Sequence, residues 1–279
     1  MNSVEEYYTN QYDEWSRLER HRVEYEITKK ALNEYIGDNC EVLDVGGGPG
    51  RYSIFLAQRG HKVTLVDLSE KLVKQAEENA LKAGAPVCRF IRGNVLELGA
   101  ILPGRLFDAV LCMGLMYHLL EEAERREAVR QCLSLLKPGG IIIASFISAY
   151  APIVDCIKSY PHEIKKRKAS FLQCLSDGRN YKEFGFTDAY FIYPEDIEAL
   201  FSEFPVRPIR IMAAEGLGAM CENSLMQLPE EDFLEWIDLL YKISDNKVTW
   251  GSCEHLLYIG RKQAGDGREA CDKSYIERI

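Results

Sequence analysis

The run Val42-Leu43-Asp44-Val45-Gly46-Gly47-Gly48-Pro49-Gly50-Arg51-Tyr52 constrains this chain more than any other segment. Apolar residues on both sides of Asp44 suit a strand covered on both faces, as in a parallel sheet. The glycines that follow let the backbone turn sharply and approach a ligand with no Cβ in the way. Tyr52 to Arg59 then has a helical pattern, so the run predicts strand, tight loop and helix. A loop of this kind reads as a nucleoside-cofactor loop.

Two details narrow the ligand. A dinucleotide fingerprint places glycine or alanine at its sixth position, where helix meets strand, and presents helix N-terminal amides to a pyrophosphate. Here the sixth position is Arg51. The Asp44 carboxylate beside the glycines would repel a pyrophosphate and attract a ligand bearing an ammonium or a sulfonium. S-adenosylmethionine carries both, and NAD-type oxidoreduction is disfavoured on these grounds.

The pattern Asp-x-Gly-x-Gly-x-Gly resembles the first motif of class I S-adenosylmethionine-dependent methyltransferases, and further landmarks follow in that family's order. Lys62 to Val66 alternates and ends at Asp67, about 20 residues beyond the first glycine, where a carboxylate can accept both ribose hydroxyls. Val87 to Arg92 reads as a third strand leading into Gly93-Asn94-Val95, similar to the family's adenine-edge motif. The family usually has Asp where this chain has Asn94, which keeps an acceptor oxygen and adds a donor. Phe107 to Met113 is a fourth strand, followed by Gly114-Leu115-Met116-Tyr117-His118-Leu119, which looks like the family's segment beneath the reactive methyl. Leu136-Lys137-Pro138-Gly139-Gly140 then precedes a fifth strand, Ile141 to Phe146.

The resemblance covers residues 38–146 and extends more loosely to Gly260. It implies an α/β fold: a doubly wound, Rossmann-like, mostly parallel seven-stranded sheet with helices on both faces and a helical cap. It implies S-adenosylmethionine as cofactor, held by Asp44, Gly46, Gly48, Gly50, Asp67, Leu68, Asn94, Val95, Cys112 and Met113. The final strand, His255 to Ile259, would run antiparallel in the family's sheet order.

Composition sets outer limits. The chain has 279 residues, 47% apolar, and no stretch approaches the roughly 18 consecutive apolar residues of a membrane span. Its first residues lack the basic start and apolar stretch of a secretory signal. Nine cysteines include no Cys-x-x-Cys pair, so buried free thiols, no metal and a reducing cytoplasm are expected. A net charge of −9 argues against a broad nucleic-acid surface. The basic run Lys158 to Lys168 alternates with apolar residues and reads as a solvated helix face.

The pattern divides into an N-terminal helical lid over 1–36, a cofactor-binding core over 37–146 and a cap insertion over 147–193. The C-terminal part of the core spans 194–262 with a helical insertion near 216–250, and 263–279 reads as a peripheral tail. Leu18 to Tyr35 has the pattern of one long amphipathic helix, and Glu121 to Leu136 that of another. The cap is rich in aromatic residues, among them Tyr150, Tyr160, Phe171, Phe184, Phe186 and Phe191, and is expected to enclose the acceptor.

The implied chemistry is methyl transfer to a small, partly apolar or aromatic molecule in a capped pocket. Positioning two reactants in line can supply several kcal/mol of barrier lowering. His118 is the best candidate base. Tyr8, Tyr12 and Trp15 offer an aromatic face for a sulfonium, so Tyr12 joins the candidate cofactor ligands. Arg20 and Arg22 are candidates for the methionine carboxylate. His21, His61 and His255 read as structural, and His162 as solvated. Two other readings keep Asp44 and Asp67: a noncatalytic S-adenosylmethionine-binding module, and RNA or protein methylation. The absence of an Asn/Asp-Pro-Pro-Tyr/Phe motif after the fourth strand disfavours nucleic-acid amino methylation. Acceptor identity, the atom methylated and oligomeric state are not legible.

Overall fold

A computed structural model describes residue 7 and residues 14–87, 89–182 and 187–264. Two helices come first, α1 Glu14–Arg20 and α2 Arg22–Tyr35. The single helix expected over Leu18 to Tyr35 is thus broken at His21, whose φ of −107° and ψ of 59° leave the helical region. In α2, Val23, Ile27 and Ala31 form one buried row and Glu24, Thr28 and Leu32 the next, as the four-residue helical repeat dictates.

The core then alternates: β1 Glu41–Val45, α3 Arg51–Ala57, β2 Lys62–Asp67, α4 Glu70–Lys82, β3 Arg89–Arg92, β4 Phe107–Cys112, α5 Glu122–Ser134 and β5 Leu136–Ile147. Ser69 caps α4 by accepting the Leu72 amide, as its sequence position suggests. The helix expected over Glu121 to Leu136 stops early, because Leu136 already pairs with Phe107 in the sheet. The register shift between Phe107 and Ala109 absorbs the Pro138-Gly139 turn, with Gly139 at φ +77°.

Beyond β5 the chain forms α6 Ala151–Ser159, α7 Ile164–Asp177 and a small hairpin of β6 Arg179–Asn180 with β7 Ala189–Tyr190. The chain returns through α8 Asp196–Phe201 and β8 Val206–Ala213, then α9 Glu230–Ile243, to β9 His255–Lys262. The main sheet has seven strands in the order β3-β2-β1-β4-β5-β9-β8, with β9 antiparallel to both neighbours. This is the doubly wound, mostly parallel sheet expected.

Strand alternation divides the interior into two cores. In β4 and just after it, Val110 and Cys112 pack against α5, whereas Ala109, Leu111 and Met113 face the core formed with α2, α3 and α9. Among the described residues the cysteines are free thiols, and Cys88 and Cys271 lie outside them. No helix among the described residues is long and apolar enough to cross a membrane.

Candidate functional site

The order of the sheet reverses at β1, and in open α/β sheets ligands bind beyond the carboxyl ends of the strands at such a switch point. A cavity of about 460 Å³ lies there. Its walls include the Gly46–Gly48 loop, Asp44, Asp67, Leu68, Asn94, Val95, Met113 and His118. Sequence-predicted residues from the ends of β1, β2, β3 and β4 are thus brought together around one space.

Gly46 and Gly48 sit at φ +69° and +53°. The loop's amides are already engaged: Gly46 donates to the Val66 carbonyl at 2.8 Å, Gly48 to Asp67 Oδ2 at 2.9 Å and Gly50 to the Gly47 carbonyl at 3.0 Å. A phosphate cradle needs such amides free and convergent. This loop is closed on itself and ringed by carboxylates, the opposite of a pyrophosphate site.

Asp44 is buried, and its Oδ2 accepts the Ser53 hydroxyl at 2.7 Å while Oδ1 has no partner. Burial first, with some help from the nearby Asp67 charge, raises its carboxyl to about 6, and the Ser53 bond offsets only part of this. An orphaned carboxylate oxygen at the cavity wall fits a cationic group on a ligand. Asp67 accepts from Gly48 and, through Oδ1, from the Ser69 amide at 2.8 Å, which fixes its carboxylate at the end of β2. The donor and acceptor set fits a nucleoside with an amino-acid tail.

Several expectations need correction. Gly50 does not line the cavity: at φ +90° it begins α3, and a Cβ there would stand 3.2 Å from Ala76. Its requirement is helix packing. Cys112 is also absent from the cavity wall, because alternation along β4 turns its side chain into the opposite core, against Cys132. The Asn94 oxygen is used locally, accepting the Leu96 amide at 3.0 Å. One face of Trp15 is taken by the Arg51 guanidinium, which lies 3.9 Å from its ring centre and bonds its carbonyl at 2.7 Å, and Trp15 does not line the cavity. Tyr8 and Tyr12 lie outside the described residues. Arg22 pairs with Glu230 and Arg20 is exposed, so neither reaches the cavity.

Arg17 reaches it instead. Its guanidinium binds Glu14 at 2.9 Å and Glu24 at 2.7 and 3.1 Å. Burial opposes ionisation of Glu24, yet Arg17 outweighs it and holds the carboxyl well below its ordinary range. His255, expected to be structural, also lines the cavity, with Nδ1 2.6 Å from Glu215. One sequence signal pointed this way: Glu24 lies between Val23 and Ile27 on the core-facing stripe of a helix, where a carboxylate must find a partner.

His118 stands on the cavity wall with Nδ1 3.2 Å from the Thr187 hydroxyl, and burial depresses its imidazole to about 3. His162 is exposed. A second cavity of about 360 Å³ lies beneath α6 and α7, walled by Ile147, Ala151, Phe171 and Phe191, with Arg167 and Arg179 among its polar residues. Phe184 and Phe186 lie outside the described residues.

Residues 42–140 match the family described as "Methyltransferase domain". Over 127 residues the chain is 37% identical to a ubiquinone biosynthesis O-methyltransferase of Xanthomonas euvesicatoria pv. vesicatoria, covering 46% of this chain and 49% of that protein. A protein of the same name from Chromobacterium violaceum is 38% identical over 112 residues, 40% of this chain and 46% of that one. The chain thus spans about half the length of the curated relatives it matches. Among solved structures, the PH0226 protein of Pyrococcus horikoshii OT3 superposes with a TM-score of 0.58 at 17% identity, over 90% of this chain and 100% of that one. Magnesium protoporphyrin IX methyltransferase of Synechocystis PCC 6803, solved with S-adenosylmethionine, gives 0.55 at 16% identity, over 93% and 95%. The two likenesses concern the fold. Residues 42–140 thus match a methyltransferase domain, and the seven-stranded sheet that contains them has the fold of the methyltransferase structure it superposes on.

Proposed function

We propose that the protein transfers a methyl group from S-adenosylmethionine to an oxygen of a small molecule. The observation that carries this reading is the convergence of Asp44, with its orphaned oxygen, and Asp67 on a glycine loop whose amides are already bonded. S-adenosylmethionine supplies a methyl already activated by a sulfonium, so no covalent nucleophile is needed from the chain. Asp67 would hold the ribose hydroxyls, Asp44 a cationic group, and Asn94 with Val95 the adenine edge. Leu68 and Met113 would pack against the nucleoside. The main catalytic contribution is alignment of two reactants and exclusion of water. His118 is neutral at physiological pH, as a proton acceptor must be, but an imidazole titrating near 3 is a weak base. The second cavity, beneath the cap, is the proposed acceptor site, and the names of the relatives favour oxygen as the acceptor atom.

Calorimetric titration with S-adenosylmethionine and S-adenosylhomocysteine, with NAD as control, tests the reading. Saturable binding of the adenosyl ligands alone is expected. Binding of NAD, or no adenosyl binding after removal of copurified ligand, would overturn it. Adenosyl binding without methyl transfer across hydroxylated aromatic panels would instead favour a noncatalytic binding module.

A further inference from the structure

Glu14, Arg17, Tyr117 and His255 line both cavities. With the nucleoside in the first cavity, as proposed above, this shared wall is where the first cavity meets the one beneath the cap. Arg17 is tied to Glu14 and Glu24, so His255 is the cation on this wall with a polar atom left to offer.

Glu215, just beyond β8, grips His255 twice. Its Oε1 lies 2.6 Å from Nδ1, and its Oε2 accepts the His255 backbone amide at 3.0 Å. Glu24 on α2 lies 3.6 Å from the same Nδ1. The ring is therefore oriented through Nδ1, and Nε2 remains for an occupant of the cavity. Glu24 from α2, Arg17 from α1 and Glu215 from the loop after β8 act on the ring, Glu14 from α1 and Tyr117 from the segment after β4 share its cavity wall, and His21 acts on Glu24. Glu254 precedes the histidine and is paired with Lys158 at 2.6 Å. Burial alone would lower the His255 imidazole, but Glu24 and Glu215 outweigh it and lift it to about 9. His118, on the same cavity, is pushed the other way, to about 3. Two like groups driven apart around one site divide the labour between them. Here one imidazole stays neutral and the other stays charged.

We infer that His255, fixed by Glu215, holds the reacting oxygen of the acceptor as an anion where the two cavities meet. The acceptor is then a small molecule with an acidic hydroxyl, a phenol or an enol, seated beneath the cap. This inference rests on the methyl-transfer reading above. In the step it describes, the acceptor hydroxyl releases its proton to solvent and the oxyanion pairs with the imidazolium. The oxygen then forms a bond to the methyl carbon while the carbon–sulfur electron pair stays on sulfur, giving a methyl ether, a neutral thioether and one free proton. An aliphatic alcohol would need a stronger base than His118 provides. The apolar side chains of Ile147, Ala151, Phe171 and Phe191 give a ring-bearing acceptor its contact surface.

The probe is 4-nitrophenol, whose phenolate absorbs visible light where the phenol does not, added to protein saturated with S-adenosylhomocysteine. The bound probe is expected to ionise about one pH unit lower than in water, a roughly tenfold larger phenolate-to-phenol ratio at a given acidic pH. His255→Gln and Glu215→Gln should return its ionisation to the solution value while leaving S-adenosylhomocysteine affinity within about twofold, far below the tenfold that 1.4 kcal/mol represents. If His255→Gln does not fold, the wild-type titration and Glu215→Gln decide. Ionisation at the solution pH in the wild type, failure of the probe to bind, or unchanged ionisation in a folded variant overturns the inference while leaving the cofactor reading intact. Failure of S-adenosylhomocysteine itself to bind overturns both.

Discussion

Asp44 and Asp67 end neighbouring strands, yet their carboxylates do different work. Asp67 is fixed by two backbone amides, and in the proposed role it also receives ribose hydroxyls. Asp67→Ala should weaken S-adenosylhomocysteine binding by about 1–3 kcal/mol with the fold retained, read by calorimetry and circular dichroism. Asp44 carries a pH signature. Its carboxyl in the free protein titrates near 6 against an ordinary 3.8, so the charged form is disfavoured by folding, and that part of stability is lost as pH rises from 3.8 to about 6. A ligand cation reverses the preference and lowers the bound-state value. Affinity is therefore full above about 6 and falls, by up to about tenfold per unit, as pH drops below it. Titrations at several pH values check this. S-adenosylhomocysteine keeps the ammonium and lacks the sulfonium, so pH dependence with both ligands assigns the contact to the ammonium. The acids and glycines of the site were legible because their spacing is local to strand ends. Gly50 and Cys112 were misplaced, since a side chain's face depends on the register it adopts in the sheet and on the helix packed against it.

At the scale of elements, α1 and α2 depend on one buried ion pair. Arg17→Met removes both guanidinium hydrogen bonds from the buried Glu24 carboxylate, leaves it only His255 at 3.6 Å, and should destabilise the protein by up to about 3–5 kcal/mol, the cost of breaking a buried pair. Arg17→Met with Glu24→Gln should recover much of that loss. Urea denaturation of the two variants decides, and equal losses in both would show that the carboxylate is not the cause. The existence of helices, strands and turns was legible from period, caps and glycines. The break at His21 was not, because the amphipathic pattern continues through it and the buried Glu222 carboxylate that faces His21 comes from 201 residues further along the chain. The early end of α5 was hidden for a related reason: Leu136 satisfies a helical stripe as well as a strand, and pairing with Phe107 decides between them.

For the whole molecule, the proposed ligand should act as a folding ligand. S-adenosylhomocysteine at a hundred times its dissociation constant should stabilise the native state by about 2.7 kcal/mol. That corresponds to a rise of about 5 °C in melting temperature for a chain of this size. NAD at the same concentration should give no shift, and an equal shift would contradict the cofactor assignment. The sequence by itself determined the sheet class and the acids and glycines that line the candidate site at the strand ends, because these depend on residues close together in the chain. Only the tertiary structure decided the other wall. Arg17 and Glu24 lie seven residues apart on successive helices, whereas Glu215 and His255 come from near the other end of the chain, and the core-facing place of Glu24 calls for a partner without naming one. Burial together is what turns them from surface charges into a network, since removing water makes each charge seek its complement.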